Sequence, residues 1–134
     1  MRAAAVVLAV PLPLLLLLDL RPGLPAAAAA LARRTPFGEA AKLHVPLACG
    51  TAPGGMASPD ALWWAWTSRA PGGSQSSPVL SCFAGGAAAV AALGAAGGAV
   101  HWAAQAAALR PDAEPAGRPL VTDWGADPWA RGSY

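Results

Sequence analysis

The sequence predicts a mixed α/β fold, in which a mixed β-sheet is flanked by helices. Two patterns support this prediction. Apolar and polar residues alternate from Leu43 to Leu47, which is typical of a half-buried strand. An alanine-rich stretch from Ala87 to Leu109 is long enough for a helix. The chain has 134 residues, which suffices for one modest domain with a single core.

The composition excludes several kinds of protein. Hydrophobic residues make up 55% of the chain and charged residues 12%, and the net charge is +2, too small to indicate a nucleic-acid partner. Lys42 is the only lysine. The two cysteines and two histidines lack the usual zinc-ligand spacings, so we expect no metal site. Cys49 and Cys82 are interpreted as buried, inert thiols.

The first thirty residues allow two interpretations. Arg2, the apolar run after it and the small residues 26–30 are typical of a secretory signal. However, Pro11 and Pro13 interrupt the run where a signal would be continuously helical, and the run is too short and broken for a membrane span. We therefore favour a buried strand over Ala3 to Leu12 and a cytoplasmic protein. The alternative is a secreted protein, if residues 1–30 act as a signal.

The following elements come from local patterns. The Gly94–Gly98 pair is interpreted as the small-residue face of a packed soluble helix, rather than as a membrane dimerisation motif. Trp63, Trp64 and Trp66 are expected in the core or a pocket wall. The predicted order is a helix over 26–34, a strand within 38–47, a loop over 49–60, a strand over 61–68, a loop over 71–77, a strand over 78–83, one helix over 87–109, a loop over 112–118, a strand over 120–124 and a final loop.

Three segments carry a resemblance to a known family. They read A-A-A-V-V-L-A-V-P-L with L-R-P-G-L-P, then F-G-E-A-A-K-L-H-V-P-L, and finally T-D-W-G-A-D-P-W-A-R-G-S-Y. In this order they resemble the flavin-containing amine oxidases, which include monoamine oxidases, polyamine oxidases and flavin-dependent histone demethylases. The lysine segment and the closing segment are the most specific. F-A-G-G at 83–86, with R-P at 110–111, is a weaker match.

The resemblance implies roles for a few residues. Lys42 matches the lysine that holds a water near the flavin N5 atom, which makes it the candidate catalytic residue. Trp124 matches a tryptophan that packs at the flavin, and Tyr134 matches an aromatic residue of a cage in front of the ring. Trp129 is expected to pack the closing loop. Planar side chains at such positions restrict how an amine approaches the flavin.

The same resemblance implies an FAD-dependent oxidation of a small amine to an imine and then an aldehyde, with hydride transfer to the flavin and release of hydrogen peroxide. The G-x-G-x-x-G turn that would bind the FAD pyrophosphate is absent, because G-T-A-P-G-G at 50–55 has the wrong spacing. We therefore expect a fragment of such an enzyme whose partner is the missing remainder. Residues 1–30 would belong to the FAD domain and 31–120 to the substrate domain, and 121–134 would return to the flavin. The alternative is a small secreted or membrane-associated protein.

Overall fold

The fold is built on a five-stranded sheet, one face of which is covered by two helices. The computed structural model describes residues 3–60, 62–69, 72, 76–95 and 97–133. All neighbouring strands in it pair antiparallel, in the order β2-β3-β4-β1-β5. The predicted mixed α/β class is confirmed, although the sheet is antiparallel rather than mixed. The strands are β1 (Ala40–Pro46), β2 (Gly54–Ala57), β3 (Trp63–Thr67), β4 (Val79–Gly85) and β5 (Leu120–Asp123).

Alternation along the strands gives the sheet two different faces. On the helix face, Leu43 lies opposite Cys82 and Val45 opposite Leu80, and all four side chains are buried. Burying each aliphatic side chain of this kind stabilises the fold by about 1.5–3 kcal/mol. The other face, which we call the open face, carries residues that are half-buried or exposed. It consists of Lys42, His44, Trp64, Trp66, Ser81, Phe83, Leu120 and Thr122.

Two helices cover the helix face, where one helix was predicted. They are α3 (Ala87–Ala95) and α4 (Gly98–Leu109), and their axes are bent by 101°. Gly97 and Gly98 have φ angles of +99° and +67°, a left-handed conformation that glycine adopts at little cost. The turn lets α4 place Trp102 edge-on against Trp63, with ring centroids 6.0 Å apart.

The N-terminal segment differs from its prediction. Residues 3–10 form no strand, and the segment leads instead to a short helix, α1 (Leu12–Leu15). The predicted strand over Ala3 to Leu12 is therefore wrong: a buried strand needs partners on both sides, and the described strands do not pair with this segment. Val6 and Val7 are 76% and 90% exposed. The next helix is confirmed as α2 (Ala26–Arg34), with Pro25 before it and Thr35 after it.

The segment predicted as a loop over residues 49–60 contains an edge strand. In β2, Met56 lies opposite Ala65 of β3. The sequence hides this strand because Gly54 and Gly55 have no side chains that could show an alternation. The same loop carries Cys49, which is exposed, whereas Cys82 is buried. Burial raises the pKa of the Cys82 thiol to about 12, so the prediction of a buried, inert thiol is correct for Cys82 and wrong for Cys49.

One arginine ties the end of α4 to the β2–β3 edge. Arg110 donates from Nε and Nη2 to the two carboxylate oxygens of Asp112, both at 2.7 Å. Its Nη1 donates to Thr67 Oγ1 at 3.2 Å, and Nη2 also donates to Thr51 Oγ1 and the Ala52 carbonyl at 3.0 Å. Thr51 and Thr67 are buried. The hydrogen bonds from Arg110 lower the pKa of Asp112, which keeps the carboxylate charged opposite the guanidinium.

Candidate functional site

An open pocket of about 530 Å³ lies over the open face, at the end where β1 begins. Three parts of the chain form its walls: the N-terminal segment, the neighbouring strands β1 and β4, and the closing loop after β5. Most of its lining is apolar or aromatic, and among the described residues Lys42 is the one that carries a charge. The pocket is lined by Ala9, Val10, Pro11, Phe37, Ala40, Lys42, Phe83, Trp124, Ala130, Gly132 and Ser133.

Strand pairing places Lys42 at the centre of this site. Lys42 lies opposite Phe83 of β4 on one side and opposite Thr122 of β5 on the other. Its strand neighbours Ala41 and Leu43 are buried on the helix face, so the lysine side chain faces the pocket. The two ion pairs of the described residues, Arg21–Asp19 and Arg110–Asp112, do not involve Lys42. Among the described residues, no carboxylate is paired with Lys42 in this mostly apolar pocket.

Aromatic side chains extend from Lys42 across the open face. Phe83 packs against Trp64 of β3, with ring centroids 4.6 Å apart and planes inclined by 40°. Trp64 is 48% exposed, whereas its neighbour Trp63 is 3% exposed in the core. The prediction of a core or pocket-wall position is confirmed for the buried Trp63, whereas Trp64 is exposed on the open face and does not line this pocket. Flat apolar rings beside a cation suit a planar or cationic ligand.

Trp124 reaches the same pocket from the closing loop. Its backbone N–H donates to the Ala40 carbonyl at 3.1 Å, which continues the pairing of β5 with β1 by one residue. Its carbonyl accepts from the Gly132 N–H at 2.8 Å. Because the first bond ties the start of the loop to β1 and the second closes the loop on itself, Trp124 and Lys42 line one pocket although they are distant in sequence.

The closing loop is held by its own polar groups. The Asp123 carboxylate accepts from the backbone N–H groups of Gly125 and Ala126, at 2.9 and 3.2 Å. The Asp127 carboxylate accepts from the Trp129 N–H at 2.7 Å. The Ser133 N–H donates to the Gly38 carbonyl at 2.8 Å, which returns the loop to the start of β1. Such side-chain-capped turns fix a loop without a core of its own.

Two other sequence predictions for this loop have different outcomes. Trp129 is 80% exposed, so the expectation that it packs the loop is wrong: the loop is held by the Asp123 and Asp127 turns. Tyr134, the predicted aromatic residue of a cage in front of the flavin ring, lies outside the described residues, so its role stays a prediction. Its neighbour Ser133 lines the pocket.

Sequence reasoning did not identify Phe37 and Phe83 as site residues. Phe83 enters the site through the pairing of β4 with β1, which local patterns do not specify. Phe37 enters through Gly132, where the chain passes so close that a Cβ on Gly132 would overlap the Phe37 ring. The sequence signal that could have identified Phe83 is its position on the side of the strand that faces away from the core, where an aromatic residue needs a cross-strand partner.

The glycine-rich segment at 50–55 has a structural role instead of a phosphate-binding one. Thr51 and the Ala52 carbonyl accept hydrogen bonds from Arg110, and Gly54 and Gly55 begin a strand. A phosphate-binding turn would instead lead into a helix N-terminus. The residues in the pocket thus fit the aromatic ring of a ligand such as a flavin, and this segment does not fit its phosphates.

Across the described residues, no group of three histidine, cysteine or acidic side chains could hold a metal ion. In the same part of the chain no single helix is long and apolar enough to cross a membrane. The bent pair α3–α4 reaches that length and apolar composition only when its two helices are taken together.

Comparison with known families gives one match. The sequence profile described as flavin containing amine oxidoreductase matches residues 1–134, which is the whole chain. At the level of that description, the match implies oxidoreductase chemistry, a flavin cofactor and an amine substrate.

Proposed function

Because the chain belongs to the flavin-containing amine oxidoreductase family, we propose that it forms the substrate-facing and flavin-facing part of an FAD-dependent amine oxidase. The substrate would be a small amine, oxidised to an imine that hydrolyses to an aldehyde. The observation that carries the proposal is that Lys42 and Trp124 line one apolar pocket.

A bound flavin would accept a hydride from the carbon next to the amine nitrogen, and its reoxidation by oxygen would yield hydrogen peroxide. The residues of this chain would bind the amine and orient it. Trp124, Phe37 and Phe83 offer flat apolar walls that exclude water and restrict the approach of an amine. Lys42 supplies a fixed positive charge that holds a water and stabilises the negative charge developing on oxygen. Tyr134 would add an aromatic wall in front of the flavin ring.

The groups that hold the FAD phosphates would come from another part of the enzyme. The segment at 50–55 supports this proposal, because Thr51 and the Ala52 carbonyl accept hydrogen bonds from Arg110. Gly54 and Gly55 of the same segment belong to β2. In the proposed division, residues 1–30 belong with the FAD domain, 31–120 with the substrate domain, and 121–134 return to the flavin. We accordingly expect the purified chain to carry no stoichiometric flavin, and a yellow one-to-one complex would contradict this.

A ring-only flavin tests the pocket without the phosphates. Lumiflavin consists of the flavin ring system, and its fluorescence is quenched when it stacks on an indole. We expect titration of the chain to quench lumiflavin. Because base–aromatic stacking is worth about 1–3 kcal/mol, Trp124→Leu should weaken binding by roughly tenfold.

Trp129→Leu is the matched control, because Trp129 lies in the same loop and is 80% exposed. It should leave the affinity unchanged. Lys42→Arg and Lys42→Met separate the effect of charge from that of shape. Equal quenching by the unmodified chain and the Trp124→Leu variant would contradict the assignment of the pocket.

The alternative function is that of a small secreted or membrane-associated protein with a signal at residues 1–30. What favours it is the exposed apolar run, in which Val7 is 90% and Leu17 60% exposed. The N-terminal sequence of mature protein made in its own cells tests it. Cleavage near Ala30 would support this alternative, and an N-terminus at Met1 or Arg2 would remove it.

A further inference from the structure

The open face carries a second row of side chains beside the row that contains Lys42. The first row runs Thr122, Lys42, Phe83 and Trp64 across four strands. The second row runs Leu120, His44, Ser81 and Trp66. Residues two apart on a strand are separated by about 7 Å, so the second row lies that distance from the first. None of its members lines the Lys42 pocket.

The centre of the second row is a hydrogen-bonded pair. His44 Nδ1 and Ser81 Oγ are 3.1 Å apart across the β1–β4 pairing, and both side chains are half-buried. The pair lies on the face opposite the core, and Leu120 at the end of the row is 63% exposed. A ligand can therefore approach it without displacing the packing of the helix face.

Histidine and serine together leave both a donor and an acceptor free. If the Ser81 hydroxyl donates to Nδ1, then Nε2–H remains as a donor and Oγ as an acceptor. If Nδ1–H donates to Oγ, the Ser81 hydroxyl remains as a donor and Nε2 as an acceptor. In either tautomer the pair can therefore both give and receive a hydrogen bond, which is what an alcohol group requires.

We propose that His44 and Ser81 form a specificity subsite that selects amines carrying a hydroxyl group that reaches one row, about 7 Å, past Lys42. This inference rests on the proposed function, because the amine end of the substrate lies in the Lys42 pocket. Phe83 lies beside Lys42 in the first row and Trp66 beside Ser81 in the second, so an aromatic ring flanks the carbon chain at each row.

The test compares two series of probes on the full chain. Straight-chain amino alcohols, from aminopropanol to aminohexanol, are titrated against the n-alkylamines of equal length. The readout is the NMR signal of the ring protons of the two histidines, which His44→Leu and His101→Leu spectra assign. We expect one length of amino alcohol to shift the His44 signal and to bind roughly five- to tenfold more tightly than its alkylamine, as a net neutral hydrogen bond provides.

Ser81→Ala, which keeps the His44 ring as the readout, should abolish that preference. His101→Leu is the matched control, because His101 is exposed on α4, and it should preserve the preference. Equal affinity for the two series, a preference that survives in Ser81→Ala, or no binding of either series would overturn the inference.

Trp124→Leu distinguishes this inference from the proposed function, because it alters a wall of the pocket and leaves its charge unchanged. If this variant weakens alkylamine binding while amino alcohols show no advantage, the subsite fails and the pocket assignment stands. If the amino alcohol preference is present while this variant has no effect on either series, the pocket assignment fails.

Discussion

At the scale of single residues, the site depends on side chains and glycines that strand pairing brings together. Lys42 lies between Phe83 and Thr122 because three strands meet in register. Trp124 joins it because the closing loop is bonded to Ala40. A lysine surrounded by other strand partners would be an ordinary surface residue, so its neighbours give this one a candidate function.

Gly132 is the residue whose backbone most directly shapes the pocket. Its φ angle is +139°, and a Cβ there would lie 2.7 Å from the Gly38 carbonyl oxygen and overlap the Phe37 ring. We expect Gly132→Ala to lower the free energy of unfolding by about 3 kcal/mol, because it adds a steric clash to backbone strain.

The matched control for this substitution is Gly117→Ala. Gly117 also has a positive φ, +95°, but open space surrounds the position of its Cβ. The strain alone should cost about 1 kcal/mol. Urea denaturation of both variants makes the comparison, and equal losses would show that Gly132 does not make the tight contact described.

At the scale of elements, Arg110 holds the helix layer to the β2–β3 edge. Arg110→Met removes five hydrogen bonds, two of which satisfy the buried hydroxyls of Thr51 and Thr67. We expect the free energy of unfolding to fall by about 2–3 kcal/mol, since each net hydrogen bond is worth about 1 kcal/mol and the exposed Asp112 pair less.

Arg118→Met is the control, because Arg118 is exposed and lies outside this network. It should change the midpoint of chemical denaturation little. If the two arginine variants had the same midpoint, Arg110 would not be the connection between α4 and the β2–β3 edge.

The elements also show what the sequence could predict. Alternation identified β1, and the flanking prolines located α2, because in both cases the signal is local. The break between α3 and α4 was missed, since a glycine in an alanine-rich stretch adopts a left-handed φ only when tertiary packing favours it. The strand predicted at the N-terminus failed because apolar composition cannot reveal whether a partner strand is present.

The candidate site was predicted in part, for the same physical reason. The resemblance to a family identified Lys42 and Trp124, which the structure brings into one pocket. Phe83 was missed because its place depends on the register between β1 and β4. His44 and Ser81 were missed as a pair, because residues distant in sequence meet only through the same register.

At the scale of the whole molecule, the N-terminal segment presents apolar surface to solvent. Val6, Val7, Leu17 and Leu18 are between 41% and 90% exposed, and exposed apolar side chains promote association. We expect the chain to form soluble oligomers, and the double variant Val7→Ser, Leu17→Ser to shift it towards monomer in size-exclusion chromatography with light scattering.

The matched double variant is Leu62→Ser, Val100→Ser. Those residues are 70% and 74% exposed but lie apart from the N-terminal segment. It should have a smaller effect on the oligomer fraction. An equal effect would mean that total exposed apolar area, and not this segment, drives association.

The central claim is that Lys42 and Trp124 face a flavin ring together. The most direct measurement is a set of intermolecular NOEs between the methyl protons of bound lumiflavin and the chain. Lys42 is the only lysine, so its side-chain methylene signals are assigned without ambiguity. Our account predicts NOEs from the ring methyl groups to both Lys42 and the Trp124 indole. NOEs to the exposed Trp129 alone, with none to Lys42, would contradict it.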